Sequence, residues 1–355
     1  VSTLEAPAHA NTPSEPTAAE TRTYLHLGLR NRWWPILPST LLGDDPLGVT
    51  RLGEALVVWR DRAGTVHVQA DYCPHRGVAL SRGFNAGDRL RCAYHHVEVG
   101  PDGTVLRVPG QPGCALEGKR AVRIYPAFEL KGAIFAYFGD ALHHEPVAFT
   151  PPPQLADDEH YDAFLCYAEW TMAWRYLYDN NMDPMHGTFL HAKSHSMFHG
   201  ATEAAFVIRD TPTGFFVEKE AQRDTNFDWS ELVDDGSLFA RLDIPYPASG
   251  GPGGNFGIIA YGTPIDERNT ACFFWRTRRV SGWQRNVWRF LYRNRLEQRH
   301  WLVLEQDRTM LADCAPGLER HEHLYGHDVG VVRLRRHLAK AARAQLTALK
   351  AHFNT

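Results

Sequence analysis

Two short cysteine–histidine pairs constrain this chain more than any other feature. Cys73-Pro74-His75 and Cys92-Ala93-Tyr94-His95 each place one sulfur and one imidazole on a stretch short enough to be a tight loop, with sixteen residues between the pairs. Strand-like runs bracket both loops. Ala55–Trp59 and Thr65–Val68 flank the turn signal Asp61–Gly64, and Val97–Val99 and Thr104–Val108 flank Gly100–Gly103, so two β-hairpins are expected. A mostly β region is therefore predicted over residues 24–148, closed by the Pro-rich stretch Phe149–Pro153. Six cysteines in 355 residues are too few and too scattered for a disulfide scaffold. They favour a reducing compartment and leave the paired thiols for other chemistry.

The rest of the composition excludes more than it specifies. A formal net charge of −3 is not that of a dedicated nucleic-acid binder. No run of 18 apolar residues is present, and the first thirty residues lack a basic start followed by an apolar core, so a cytoplasmic protein with no membrane partner is expected. Residues 1–23, rich in Ala, Pro, Thr, Ser and Glu, are predicted to be a disordered tail. Residues 149–355 form the second expected unit. In it, Trp170–His191 is read as helical, opened by Thr171 as a cap and kinked at Pro184, with strand-like runs from Ala205 to Phe290. Val329–Phe353 is the clearest helix, with Leu334, Leu338, Ala341, Ala342, Gln345 and Leu349 at helical spacing. Its six basic and no acidic residues read as a solvated face or as a dock for an acidic redox partner.

Two thiolates and two imidazoles suit either of two metal groups. Tetrahedral zinc accepts a Cys2His2 set. A Rieske [2Fe–2S] cluster takes thiolates on one iron and imidazoles on the other. Zinc fingers group both cysteines in one pair and both histidines in the other. Here each loop supplies one of each, as an asymmetric two-iron cluster requires. A second constellation follows at Asn180-x-x-Asp183-x-x-His186-x-x-x-x-His191. Two imidazoles and a carboxylate on one face make the facial triad of non-haem Fe(II) oxygenases. His195 and His199 continue the series, so that His191/His195 or His195/His199 would also make a metal face on a regular helix. The carboxylate must come from downstream, where Glu305, Asp307, Glu322 and Asp328 are candidates.

The segments Asp71-Tyr72-Cys73-Pro74-His75-Arg76-Gly77, Leu80-Ser81-Arg82-Gly83 and Leu90-Arg91-Cys92-Ala93-Tyr94-His95 resemble the Rieske domain of Rieske non-haem iron oxygenase α subunits, of the compact α-only type. The family commonly continues with Gly-Trp where this chain has His96-Val97, so His96 competes with His95 for the ligand role. The resemblance favours Cys73, His75, Cys92 and His95 as cluster ligands and His186 and His191 as iron ligands, with His195 and His199 left beside the pocket. It implies that Asp183 bridges the iron's histidine to a Rieske histidine of a neighbouring subunit. It also implies Asp328, at the start of the last helix, as third iron ligand, with Asp307 the alternative.

An α+β fold follows from the resemblance: a Rieske-type β domain, then a catalytic domain with a helix-flanked antiparallel sheet. So does a function. The implied protein is a terminal oxygenase, a head-to-tail homotrimer reduced by a ferredoxin or flavin reductase, that uses O2 to hydroxylate, dihydroxylate or oxidatively dealkylate a small aromatic substrate. A Rieske electron carrier without catalysis is the alternative reading.

Overall fold

Short β-branched and aromatic runs interrupted by Gly, Pro and Asp cannot build long elements, and the first third of the chain is accordingly made of short strands. In the computed structural model, which describes residues 15–142, 145–194, 200–222, 227–245, 254–314 and 317–353, these are β1 (Arg32–Pro38), β2 (Leu47–Arg51), β3 (Glu54–Arg60), β4 (Val66–Ala70), β5 (Phe84–Asn85), β6 (Leu90–Arg91), β7 (Glu98–Val99), β8 (Val105–Arg107), β9 (Ile124–Tyr125), β10 (Ala127–Leu130) and β11 (Ala133–Phe138). They form three antiparallel sheets, ordered β1-β11-β10, β2-β3-β4-β9 and β5-β6-β7-β8. Both expected hairpins are there, as β3-β4 and β7-β8.

The second part is one seven-stranded antiparallel sheet, ordered β12-β18-β17-β16-β15-β14-β13. Its strands are β12 (Tyr161–Thr171), β13 (Phe206–Thr211), β14 (Gly214–Lys219), β15 (Trp229–Asp234), β16 (Leu238–Pro245), β17 (Asn255–Pro264) and β18 (Asn269–Arg279). Side chains alternate between its faces. One face, with Tyr261, Phe273 and Trp275, buries against Trp33, Phe135 and Tyr137 of β1 and β11, which joins the two parts through an aromatic core. The opposite face takes the helices. These are α3 (Trp174–Asn181), α4 (Pro184–Leu190), α5 (Gly282–Leu291), α6 (Glu297–Leu311) and α7 (Val329–Phe353), with α1 (Ala18–His26) and the single turn α2 (Pro153–Ala156) elsewhere.

Four expectations need correcting. The tail ends earlier than Thr23, because Thr17 and Glu20 form a reciprocal capping box that starts α1, and Lys350 of α7 pairs with Glu20; residues 1–14 lie outside the described residues. Thr171 is not a helix cap but the last residue of β12, where pairing with Asn269 holds it extended. Pro184 does not kink one helix; it is the first residue of α4, where its missing N–H is not needed and Asp183 caps. Phe290 lies in α5, not in a strand, and Gly282–Leu311 is almost wholly helical, with a π-helical turn at Tyr292–Leu296 between α5 and α6.

α7 locks the site region to the rest of the molecule. Its Val331, Leu334, Leu338 and Ala342 stripe is buried. A Cβ on Gly330 would stand 2.2 Å from the Met182 carbonyl, so only glycine lets the helix start this close to the segment leading into Asp183. Three of its six Lys and Arg residues are tied within the chain, Arg333 to Asp210, Arg335 to Asp179 and Glu322, and Lys350 to Glu20. Arg336, Lys340 and Arg343 remain exposed at successive turns. No helix among the described residues is long and apolar enough to cross a membrane.

Candidate metal centres

The two Cys/His loops are built alike. In the first, the Gly77 N–H donates to the Cys73 carbonyl and the Cys73 N–H to Val78; in the second, the His96 N–H donates to Cys92 and the Cys92 N–H to Val97. Each loop turns at a left-handed residue four places after its cysteine, Gly77 at φ 75° and His96 at φ 56°. Cys73 and Cys92 are buried, whereas His75 and His95 stand exposed with ring centroids 4.7 Å apart. Thiols point inward and imidazoles outward, the polarity an asymmetric two-iron cluster needs. Burial pushes the Cys73 thiol up to about 11, and the Cys92 sulfur beside it adds to the shift, so that metal binding must displace the Cys73 proton. A single zinc would need all four donors within its own coordination radius. Among the described residues, the one group of three or more donors with ligand atoms all within 4.8 Å is a different one.

His96 turns away from that pair. Its ring lies 6.2 Å from Phe84, edge to face, while His95 lies against Tyr94 and His75. A non-glycine residue in the left-handed region costs about 1–2 kcal/mol. His96→Gly is therefore expected to raise the stability measured by urea unfolding by about 1 kcal/mol, after the entropic cost of glycine, with the cluster absorbance unchanged. Loss of that absorbance in His96→Gly but not in His95→Ala would make His96 the ligand.

The other group is His186, His191 and Asp307. His186 sits in the first turn of α4 and His191 at its C-terminal cap, where the chain leaves helical geometry and swings the second ring across the first at a centroid distance of 5.2 Å and 80°. Asp307 comes from the buried face of α6. Its Oδ1 is 3.1 Å from His191 Nε2 and 3.7 Å from His186 Nε2. Adjacent donors on an octahedral ion, each about 2.1 Å from it, would be about 3 Å apart. Oδ1 is buried without a hydrogen-bond partner, as expected of a lone pair aimed at a common third point and not at a proton. The Nδ1 atoms face fixed acceptors, the Asp183 carbonyl at 2.5 Å for His186 and Gln306 Oε1 at 2.8 Å for His191, which leaves both Nε2 lone pairs for a metal. Burial alone would depress His191, but Asp307 and Gln306 outweigh it and hold the imidazole above the usual range. The donor set fits a mononuclear Fe(II).

Asp328 is not in this group. Its Oδ2 accepts the Tyr325 N–H and closes the turn that starts α7. Glu322 is held by Arg335 and Glu305 by Arg308. Gln306 went unnoticed in the sequence, its signal being only adjacency to Asp307. His195 and His199 lie outside the described residues. Asp183 keeps its carboxylate at the head of α4, with Oδ1 accepting the Met185 N–H and Oδ2 4.0 Å from His186 Nδ1.

Residues 32–126 match the Rieske [2Fe-2S] domain, and residues 170–344 match the vanillate O-demethylase oxygenase C-terminal domain. The chain belongs to the Rieske non-haem iron oxygenase α subunits. Within this family it is 32% identical over 165 residues to the vanillate O-demethylase oxygenase subunit of Pseudomonas sp. (strain HR199 / DSM 7063), covering 46% of each chain. It is 26% identical over 265 residues to the phthalate 4,5-dioxygenase oxygenase subunit of Pseudomonas putida, covering 69% of this chain and 59% of the relative. The chain thus spans about half the length of the curated relatives it matches. Its fold is that of dicamba monooxygenase bound to dicamba (TM-score 0.69, 20% identity, 89% of this chain and 98% of that one). It is equally that of the terminal oxygenase of carbazole 1,9a-dioxygenase from Nocardioides aromaticivorans IC177 (TM-score 0.69, 20% identity, 91% and 97%).

Proposed function

We propose that this Rieske oxygenase subunit is a terminal oxygenase in which Cys73, His75, Cys92 and His95 hold a [2Fe–2S] cluster, His186, His191 and Asp307 hold Fe(II), and a small aromatic substrate is oxidised with O2. The carrying observation is the second donor set: three converging metal-ligand atoms on a chain that also bears the cluster loops. A Rieske carrier without catalysis has no use for it. Residues 24–148 form the electron-carrying unit and 149–355 the catalytic one. Bound in place, the cluster supplies one-electron transfer and the iron supplies open positions for O2. Support for an aromatic substrate comes from the relatives, whose names specify vanillate and phthalate.

The chain's own residues orient and insulate. The Asp183 carbonyl and Gln306 fix the tautomers of His186 and His191, and burial of His191 and Asp307 keeps water from competing for the ion. Asp183 is suited to relay between copies because its side chain is 29% exposed while touching the iron-binding helix. Tyr94 is exposed against the outward His95 imidazole, Tyr72 and Phe84 are exposed elsewhere in the cluster domain, and Phe189 is exposed on α4. Such apolar exposure at both sites favours a head-to-tail homotrimer that covers them. The Arg336, Lys340 and Arg343 stripe of α7 suits an acidic electron donor, a ferredoxin or flavin reductase.

Metal analysis tests the assignment. About three irons and two acid-labile sulfides per chain are expected, and His186→Ala should lose one iron and all turnover while keeping the cluster spectrum. Unchanged turnover sinks the reading. Asp183→Asn should retain every metal yet slow oxidation of the reduced cluster by O2 and substrate about 10–100-fold in single-turnover kinetics.

A further inference from the structure

Lysine is almost never fully buried unless it is paired, yet Lys219 is only 1% exposed. It is the last residue of β14, where Phe215, Val217 and Lys219 point to one buried face and the first two join the main core. A third apolar side chain would continue that row with no charge to desolvate. An ammonium stands there instead. Among the described residues it has no carboxylate within ion-pair distance and makes one hydrogen bond, from Nζ to Thr188 Oγ1 at 2.8 Å. Burial pulls Lys219 below the usual lysine range, and the charges of Asp228 and Asp183 oppose this only in part. One neutral hydroxyl does not offset the desolvation of a cation, so stability alone would favour an apolar residue of the same shape.

Thr188 shows what the cation holds. It lies on α4 between His186 and His191, and it is buried. A helix of seven residues is too short to keep its place by its own hydrogen bonds, so contacts from outside set its depth and rotation. Among the described residues, the bond from Lys219 to Thr188 is the one hydrogen bond between the seven-stranded sheet and α4. Its sheet end is firmly held. The Lys219 N–H donates to the Asp228 carbonyl at 2.7 Å, just before β15, and Val217 on the same face lies under Gly330 in the first turn of α7. Its helix end carries the donors. Asp307 comes from a separate helix, α6, so any rotation of α4 changes the distances from His186 and His191 to Oδ1. A metal site tolerates ligand displacements of only about 0.2 Å.

We propose that Lys219 is a positioning residue of the mononuclear centre: its ammonium, through Thr188, fixes α4 on the sheet at the rotation that brings His186 and His191 to Asp307. The proposal rests on the oxygenase reading above and adds to it a residue outside the donor set. Lys219 supplies no donor atom and acts through Thr188. Lysine suits the task because its stem spans the gap from strand to helix, and a charged donor makes a hydrogen bond roughly twice as strong as a neutral one.

The test sets iron affinity against stability. Wild type, Lys219→Met, Thr188→Val, Thr188→Ser and the double variant Lys219→Met with Thr188→Val are stripped of mononuclear iron with their clusters retained. Each is titrated anaerobically with Fe(II) against a chromophoric chelator, and each stripped protein is unfolded in urea. Lys219→Met should weaken Fe(II) binding about 10-fold, while its unfolding midpoint equals or exceeds that of the wild type because a buried charge has gone. Thr188→Val should weaken Fe(II) binding similarly but lower the midpoint, since the ammonium then lacks its acceptor. Thr188→Ser keeps the hydroxyl and should bind Fe(II) as the wild type does. The double variant should bind no more weakly than either single one, the mark of a shared bond. Unchanged Fe(II) affinity in Lys219→Met, or additive losses in the double variant, overturns the proposal. So does a Lys219→Met protein that unfolds earlier or fails to fold, because the lysine is then a structural element only. A wild type that binds Fe(II) with no response to Lys219 sinks the positioning role alone, whereas a wild type that takes up no iron beyond its cluster sinks the oxygenase reading and the positioning role with it.

Discussion

Asp307→Ala should abolish mononuclear iron binding and turnover, whereas Asp328→Ala should retain both and lose only about 1 kcal/mol of stability, the worth of a helix cap. The contrast follows from what each carboxylate faces. Asp307 Oδ1 is buried, free of any hydrogen bond and within 3.7 Å of two imidazole nitrogens. Asp328 Oδ2 accepts the Tyr325 N–H. Iron per chain should fall from about three to about two in Asp307→Ala, with the cluster spectrum intact because its donors come from separate loops. Should Asp328→Ala instead be the variant that loses iron, the helix-cap account of Asp328 is wrong.

Arg335→Ala should cost about 3–5 kcal/mol, the usual effect of removing one partner of a buried ion pair. Arg335 of α7 donates from Nε and Nη2 to Asp179 of α3, and from both terminal nitrogens to Glu322. Asp179 is buried, and the only other cation beside it, among the described residues, is Arg175 at 3.7 Å. Burial already pushes the Asp179 carboxyl above the usual range against the pull of Arg335, and losing Arg335 pushes it further. An acid whose folded pKa lies above its unfolded value holds more protons in the folded state. Its contribution to stability therefore declines as pH rises above the unfolded value near 4. The loss in Arg335→Ala should accordingly be smaller in urea unfolding at pH 5 than at pH 8, and Asp179→Asn combined with Arg335→Met should recover much of it. Because α3 leads directly into α4, iron occupancy should drop alongside stability. A loss under 1 kcal/mol at pH 8 would show that solvent reaches Asp179.

Legibility in the sequence tracked the range of the interaction. His186 and His191 were legible because both lie on one seven-residue helix and its cap, so their spacing carries them even where Pro184 reads as a kink in a longer helix. The hairpins around the cluster loops were legible for the same reason. Asp307 was misjudged because α5 and α6 were not foreseen: Gly282–Leu311 mixes aromatic, basic and polar residues, and its helical stripe of His300, Leu304, Asp307 and Leu311 contains two polar members. Without that helix there is no face to carry Asp307 toward the histidines, and Asp328 looked better placed. The capping box at Thr17 and Glu20 was legible in principle, but the composition around it spoke for disorder.

By itself the sequence determined the donor types and their pairing, because a metal's preference for sulfur or nitrogen and the reach of a two-residue loop are local properties. It determined equally the histidines flanking one short helix. Tertiary structure alone decided which distant carboxylate lies beside the two histidines, and that His95 and not His96 meets His75. Each of those depends on which face of one element is pressed against another more than a hundred residues away, or on the sign of a single backbone angle. Neither is encoded in spacing along the chain.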